Sequence, residues 1–514
     1  MFVFLTSADT EIQGLSAAVH RLPDSFAPVQ ARNVSELAST HALAKFIDDE
    51  LLSTRAVILR VLGGRPYFAE GYERLSQECR SRGIAFFALP GEQTLDLELT
   101  ALCHAPLPLV TQVLEYFTQG GVPNLVNLLR CLSDNVLLTG LGYDPPTPLP
   151  RDGLYHPALP EGLSFETWQT RFQKPGRPTV GILFYRAHWM AGNLAPIDAL
   201  IERVDALGGN PLAIFCYSLK DDPDQADGSA AVFREFLIDE EGKARVHVVV
   251  STLSFTVARL GEDTHVEASG PVVDLLERLD VPVLQSVLCT ASEADWQAST
   301  AGLTPRDTAM NVVLPEFDGR IHTVAISFKE ESGFDDRLGT EIRAYVPKPD
   351  RVDMCVRLAL RHARLRTVPN HEKRVAILFG NYPTKNARIG NGVGLDTPAS
   401  VMNLLRAFAE AGYHVEDVPA DGDDLMHRLI DNCTNDEEFL TDSQLRGAVG
   451  HIDRQSYDAW FSALPESARQ AMIAQWGEPL GEVGRIDGTL AIPGLLFGNV
   501  FVGISAMNRQ RAIR

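Results

Sequence analysis

The chain alternates between short, almost uninterrupted apolar runs and longer stretches with helical spacing of apolar positions. Three segments share one order: a β-branched apolar strand, a Gly- or Pro-containing loop, an amphipathic helix, then Gly and a second strand. The first runs Ala56-Val-Ile-Leu-Arg-Val-Leu-Gly-Gly64, a helix around Glu70 to Arg82, and Gly83-Ile-Ala-Phe-Phe-Ala-Leu89. The second runs Val180-Gly-Ile-Leu-Phe184, a helix around Pro196 to Leu207, and Pro211-Leu-Ala-Ile-Phe215. The third runs Val375-Ala-Ile-Leu-Phe379, a helix around Pro398 to Ala411, and Gly412-Tyr-His-Val415. Continuous apolar strands alternating with helices are what a parallel sheet covered on both faces requires. The pattern predicts an α/β chain with several doubly wound parallel-sheet units in a multidomain arrangement. Met1-Phe-Val-Phe-Leu5 reads as a first strand, being too short and lacking the basic flank for a signal peptide. In such sheets ligands bind beyond the carboxyl ends of the strands, so a site is expected in the loops after Phe184 and Phe379.

At 514 residues the chain is long enough for roughly three domains. Thr139 to Pro150 carries four prolines among Gly and Asp, Gln173 to Pro178 reads Gln-Lys-Pro-Gly-Arg-Pro, and Arg361 to Lys373 is a basic joint. These joints predict an N-terminal α/β domain over 1–150, a second over 151–365, and a third over 366–514.

Composition narrows the function. With 46 Lys and Arg against 67 Asp and Glu, the net charge is −21, which argues against a nucleic-acid surface. An anionic ligand would have to be met by local Arg and Lys rather than by the overall field. The seven cysteines are scattered and contain no Cys-x-x-Cys pair, so neither a disulfide framework nor a zinc ribbon is indicated and a reducing cytoplasm fits. The longest late apolar stretch, Leu490 to Ile504, is too short and too broken by Pro493, Gly494, Gly498 and Asn499 to span a bilayer. No membrane association is expected.

Three segments carry candidate chemistry. Leu314-Pro-Glu-Phe-Asp-Gly319 reads as the end of a strand-like run, with Glu316 and Asp318 on a tight bend rather than along a helix; a solvated loop is the competing interpretation. Tyr185-Arg-Ala-His-Trp-Met-Ala-Gly-Asn193 collects a cation, an imidazole, two aromatics and an amide, which suits a flat, polar-edged ligand. There too the alternative is plain, with Tyr185 and Trp189 in the core and His188 a satisfied imidazole. Gly380 to Pro398 is polar, basic and glycine-rich ahead of a helix, and Asp396 doubles as a helix cap. No Walker loop, Gly-x-Ser-x-Gly elbow or His-Glu-x-x-His helix occurs, so nucleotide, serine-hydrolase and zinc-protease sites are unsupported.

With these residues in place, the chain resembles the large subunit of cobaltochelatase, the CobN type, and more distantly the H subunit of magnesium chelatase. The collinear landmarks include Leu59-Arg-Val-Leu-Gly-Gly-Arg65, Tyr116 to Asn124, Gly181 to Arg186, Pro282-Val-Leu-Gln285, Trp296 with Gly302-Leu-Thr-Pro305, and the Leu314 to Gly319 motif. Asn381-Tyr-Pro383, Gly394-Leu-Asp396 and Ile492 to Asn499 complete the series. Family members are much longer, and Ser505 to Arg514 departs from the family's Gln-Pro and Arg-Gly continuation. A truncated or frame-interrupted product, or a fragment, is the expectation.

The resemblance implies ATP-dependent insertion of Co²⁺, the substrate ion, into hydrogenobyrinic acid a,c-diamide in aerobic cobalamin synthesis. The large subunit is then the partner that binds the corrin-type tetrapyrrole, and ATP and Mg²⁺ fall to separate AAA+ and von Willebrand-type subunits. Metal insertion must deprotonate ring nitrogens and strip water from a cation, tasks that suit carboxylates and neutral imidazoles. On this basis Glu316 is assigned as base or metal relay, Asp318 as its assistant and His188 as the alternative relay. Arg186, Lys385 and Arg388 would meet macrocycle carboxylates, Tyr185, Trp189 and Tyr382 would line its faces, and Asn193, Asn381 and Asp396 would complete the substrate contacts. A non-catalytic macrocycle-binding or assembly module, or a magnesium or nickel chelatase subunit, remains the alternative.

Overall fold

The computed structural model describes residues 1–217, 232–257, 276–382, 384–436, 438–479, 481 and 484–505. Pro383 of the Asn381 to Pro383 landmark and the 506–514 tail lie outside them. The chain forms two compact units, Met1–Arg364 and Leu365–Arg514.

In the first unit, β1 (Phe2–Thr6), β2 (Val29–Asn33), β3 (Ala56–Val61) and β4 (Ala85–Pro90) make an all-parallel sheet in the order β2-β1-β3-β4. Its strands are apolar on both faces because both are covered. Phe2 and Phe4 pack with helices Asp9–Val19, Leu107–Gln119 and Val122–Val136. Val3 and Leu5 pack on the other side with Thr40–Glu50 and Ala69–Arg82.

The second sheet contains β5 (Gly153–His156), β6 (Leu159–Leu163), β7 (Thr179–Tyr185), β8 (Asn210–Cys216), β9 (Val248–Ser251), β10 (Val283–Cys289), β11 (Ile321–Asp335) and β12 (Thr340–Pro347). Its order is β12-β11-β10-β9-β7-β8-β5-β6, parallel from β11 through β8 with antiparallel strands at both edges. The predicted α/β class and the first two strand-helix-strand units are observed.

A long hairpin, β11–β12, reaches from the second sheet to the first. Leu338 accepts a main-chain hydrogen bond from Ala31 at 3.1 Å. Gln13 donates to the Arg343 carbonyl at 2.5 Å, and Asp335 takes hydrogen bonds from Ser16 and His20. These bonds hold the two sheets of this unit at one spacing.

The second unit contains β13 (Val375–Phe379), β14 (Gly450–Ile452), β15 (Arg485–Ile486), β16 (Thr489–Ile492), β17 (Gly494–Phe497) and β18 (Val500–Ile504). Helices Thr397–Glu410 and Gly422–Asn432 cover one face of the sheet β13-β18-β17. Here the third predicted unit needs correction: Gly412 to Val415 is not a strand, and β13 instead pairs in parallel with β18. The sequence pattern named a neighbour close in the chain, whereas the apolar run Val500 to Ile504 supplies the better buried partner, with Val500 and Val502 fully enclosed. Among the described residues no helix is long and apolar enough to cross a membrane.

Gly91, immediately after β4, has no room for a side chain, since a Cβ there would lie 2.6 Å from the Leu62 Cα. Gly91→Ala must push the ends of β3 and β4 apart and is expected to lower stability by roughly 1–3 kcal/mol, read as a reduced urea midpoint with unchanged slope. An unchanged midpoint would show that these strand ends yield freely.

Candidate functional site

The two sheets of the first unit face a cavity of about 600 Å³, within the range of small-molecule sites. Ser7, Leu62, Gly91, Arg186, Tyr217, Thr252 and Thr290 each line it, and each directly follows a parallel strand. The carboxyl ends of seven strands from two sheets therefore converge on one space, as expected for open α/β sheets. Phe117, Leu125, Met190, Leu288 and Met310 give apolar wall, and Gly120 and Gly121 let the turn between two helices approach closely.

Most charges in the wall are already paired. Arg60 donates to Glu11 and, at 2.5 Å, to the Gly91 carbonyl, and its guanidinium lies 5.5 Å from the Phe117 ring centroid. Lys329 pairs with Asp9 at 2.8 Å; burial works against its charge, but Tyr345 and Asp9 outweigh it and raise its pKa. The Asp307 carboxylate, completely enclosed, accepts from the Thr290 N–H at 3.0 Å and hydroxyl at 2.9 Å and from the Thr304 hydroxyl at 3.0 Å.

Arg186 holds the cavity together. It is 2% exposed, and its guanidinium donates to the carbonyls of Pro150 at 2.7 Å, Thr118 at 3.2 Å, Gln119 at 2.6 Å and Leu149 at 3.4 Å. Burial first, then Arg151, push its pKa down to about 10. The sequence-based assignment of Arg186 to a macrocycle carboxylate is corrected accordingly: main-chain oxygens occupy its donors.

His188 stands two residues on, in the short helix Arg186–Ala191 that replaces the expected loop. Its ring meets Tyr345 edge-on at 5.6 Å. Burial, and secondarily Lys329, push its pKa down to about 4, so the imidazole is neutral through the ordinary pH range. Its Nδ1 is enclosed without a hydrogen-bond partner among the described residues. A neutral imidazole in a mixed wall is chemically fit to bind a metal ion or accept a proton.

The remaining assignments are distributed unevenly. Tyr185 and Asn193 line the cavity, with the Tyr185 hydroxyl donating to the Ser254 carbonyl at 2.9 Å and Asn193 Oδ1 accepting from the Tyr345 N–H at 3.1 Å. Trp189 lies outside the lining, stacked on Phe215 at 4.3 Å with its indole N–H on the Pro160 carbonyl at 2.9 Å. It packs the core, because the helix turns its side chain onto the sheet.

The Leu314 to Gly319 motif also differs from expectation. Thr304 caps a helical run that continues through Ala309–Val313 to Leu314–Glu316, so the segment before the bend is helix rather than strand. Asp318 is fully buried as a side chain and pairs with Arg320 at 2.7 Å while accepting from the Thr256 hydroxyl at 2.5 Å and the Val257 N–H at 3.0 Å. Its oxygens anchor the chain after β9 instead of facing a ligand. Glu316 is exposed and outside the cavity lining.

The lining comes entirely from the first unit. In the second, Asn381 is fully buried and bonded to Asn435 at 2.6 Å, Lys385 pairs with Asp436 at 3.5 Å and with Glu438, and Asp396 caps its helix through the Ala399 N–H at 3.0 Å. Tyr382 and Arg388 are exposed.

Sequence reasoning missed Glu92 and Arg306. Both line the cavity, both are exposed, and neither side chain has a hydrogen-bond or ion-pair partner among the described residues. The position of Glu92 immediately after Pro90-Gly91 at a strand end was the available signal. No group of three or more metal-ligating side chains occurs among the described residues.

Residues 114–510 match the family model described as CobN/Magnesium Chelatase. The aerobic cobaltochelatase subunit CobN of Pseudomonas aeruginosa is 36% identical over 504 residues, covering 98% of this chain and 38% of that protein. The H subunit of magnesium chelatase from Rhodobacter capsulatus is 26% identical over 406 residues, covering 76% of this chain and 32% of that one. A solved structure, the catalytic subunit of cobaltochelatase from Mycobacterium tuberculosis, matches with a TM-score of 0.62 at 30% identity over 98% of this chain and 38% of its own. The chain thus spans less than two fifths of the length of these relatives. The resemblance read from the sequence is borne out.

Two measurements test this geometry. Arg186→Met leaves four carbonyls without their donor and is expected to cost about 3–5 kcal/mol in denaturant unfolding; a loss below about 1 kcal/mol would mean that water reaches those oxygens. For His188, the unfolded chain binds a proton below pH 6.5 that the folded chain refuses until about pH 4. Stability therefore falls as pH falls through that window, by roughly 3 kcal/mol in all. His188→Gln should flatten that part of the stability profile, and parallel profiles for the two proteins would contradict a buried neutral imidazole.

Proposed function

This chain belongs to the CobN/magnesium chelatase family, and we propose that its cavity holds the tetrapyrrole of an ATP-dependent cobaltochelatase. The macrocycle on this reading is hydrogenobyrinic acid a,c-diamide, Co²⁺ is the ion inserted, and the pathway is cobalamin biosynthesis. The observation that carries the reading is the convergence of seven strand ends on a mixed apolar and polar cavity whose lining includes the neutral imidazole of His188. The likeness to the P. aeruginosa cobaltochelatase subunit over 98% of the chain supports cobalt as the metal. ATP and Mg²⁺ belong on this reading to AAA+ and von Willebrand-type partner subunits, and the complex works in the cytoplasm.

Within the cavity, His188 is the group that passes the ion, since burial keeps its imidazole neutral, although the same burial makes it a weak proton acceptor at neutral pH. Glu92 is the carboxylate of the lining left uncommitted for the incoming cation. Asp318 assists by fixing Arg320, whose Nη1 donates to the Leu253 carbonyl at 2.9 Å and Gln285 at 3.0 Å. Glu316, exposed and outside the lining, keeps from its motif the role of relay, passing an ion or a proton between solvent and the cavity. Tyr185 and Asn193 shape the wall, and Lys385, Arg388, Asn381, Tyr382 and Asp396, which belong to the second unit, are no part of this cavity.

Insertion is tested by supplying Co²⁺, ATP and the partner subunits to the chelatase complex, and macrocycle binding by titrating the corrin precursor and following its absorbance. His188→Gln and Glu92→Gln should keep binding within about threefold and lower insertion about 100-fold or more, the usual loss on removing an acid–base group. Glu316→Gln should do the same if its motif acts in catalysis, and unchanged turnover would leave the chemistry to His188 and Glu92. Failure of the unsubstituted chain to bind the precursor would overturn the reading.

A further inference from the structure

A chain of net charge −21 has to meet an anionic ligand with individual cations. Arg60, Arg186, Arg306, Arg320 and Lys329 are the Arg and Lys side chains of the cavity wall among the described residues. Four are engaged: Arg60 with Glu11, Arg186 with four carbonyls, Arg320 with Asp318, and Lys329 with Asp9. Their charges are neutralised or their donors filled, so a ligand carboxylate arriving there would have to break an existing buried contact.

Arg306 is different. It lies in the first turn of the helical run capped by Thr304, on the face that also gives Asp307, Met310 and Asn311 to the cavity. The neighbouring Asp307 carboxylate points into the protein and is taken up by Thr290 and Thr304. The Arg306 guanidinium is exposed and makes no hydrogen bond or ion pair with the described residues. A guanidinium in that state offers a planar fork that matches a carboxylate with two parallel hydrogen bonds.

We propose that Arg306 is the anchor for a peripheral carboxylate of the macrocycle and a determinant of which macrocycles the cavity accepts. This rests on the reading of the cavity as a tetrapyrrole site. With every other Arg and Lys side chain of the described wall engaged, Arg306 is the point at which a peripheral carboxylate can be held by two parallel hydrogen bonds.

The test titrates hydrogenobyrinic acid a,c-diamide, and separately its peripherally methyl-esterified form, into the full chain and into Arg306→Gln and Arg306→Lys, at low and high salt. The unsubstituted chain should bind the acid form more tightly than the ester, and more weakly as salt rises. Arg306→Gln should weaken the acid form at least tenfold, leave the ester unchanged and abolish the salt effect; Arg306→Lys should fall between, having the charge without the fork. Equal thermal midpoints confirm folding. If Arg306→Gln binds the acid form as well as the unsubstituted chain does, the anchor is elsewhere and the proposal fails while the tetrapyrrole reading stands. If the unsubstituted chain binds neither form, both fall together.

Discussion

The cavity depends on how one buried guanidinium is satisfied. An enclosed charge costs several kcal/mol unless hydrogen bonds replace its water, and Arg186 has no carboxylate to do so directly. It instead gathers carbonyls from two places far apart in the chain, the helix end at Thr118 and Gln119 and the Pro-rich segment at Leu149 and Pro150. Because those oxygens would themselves be unsatisfied without it, the helix end, the segment and the carboxyl end of β7 can only bury together. The β11–β12 hairpin adds a second tie, joining Asp335, Leu338 and Arg343 to the elements around β1 and β2.

A wall built this way is electrically quiet. Each internal pair cancels a charge inside the wall, and the low local dielectric that makes an unpaired charge costly also keeps His188 neutral. Metal insertion into a macrocycle exchanges ring protons for a cation, and a neutral imidazole can take part without first losing a proton. The uncommitted groups, Glu92 and Arg306, stand out against that background because the other carboxylates and the other Arg and Lys side chains of the described wall have partners.

The strand-helix-strand units at β3–β4 and β7–β8 were legible because apolar periodicity is a local property, set by which side chains a covered parallel strand must bury. The same reasoning placed the cavity beyond Phe184. It failed where local and long-range preferences compete. β13 took a partner more than a hundred residues away, and Val312, Val313 and Leu314 joined a helix begun by the Thr304 cap although two of them are β-branched. The cluster from Tyr185 to Asn193, singled out in the sequence as a group, was sorted by helix geometry into cavity, core and clamp.

The sequence by itself determined the family, the α/β class, and strand ends that border the cavity, since these follow from short-range patterns and ordered landmarks. Only the tertiary structure decided which charged side chains are free. Asp318 and Arg186, two of the candidates read from the sequence, are held by buried partners, while Glu92 and Arg306, which sequence reasoning passed over, are left open. Pairing of that kind is settled by distances between residues that no local pattern encodes.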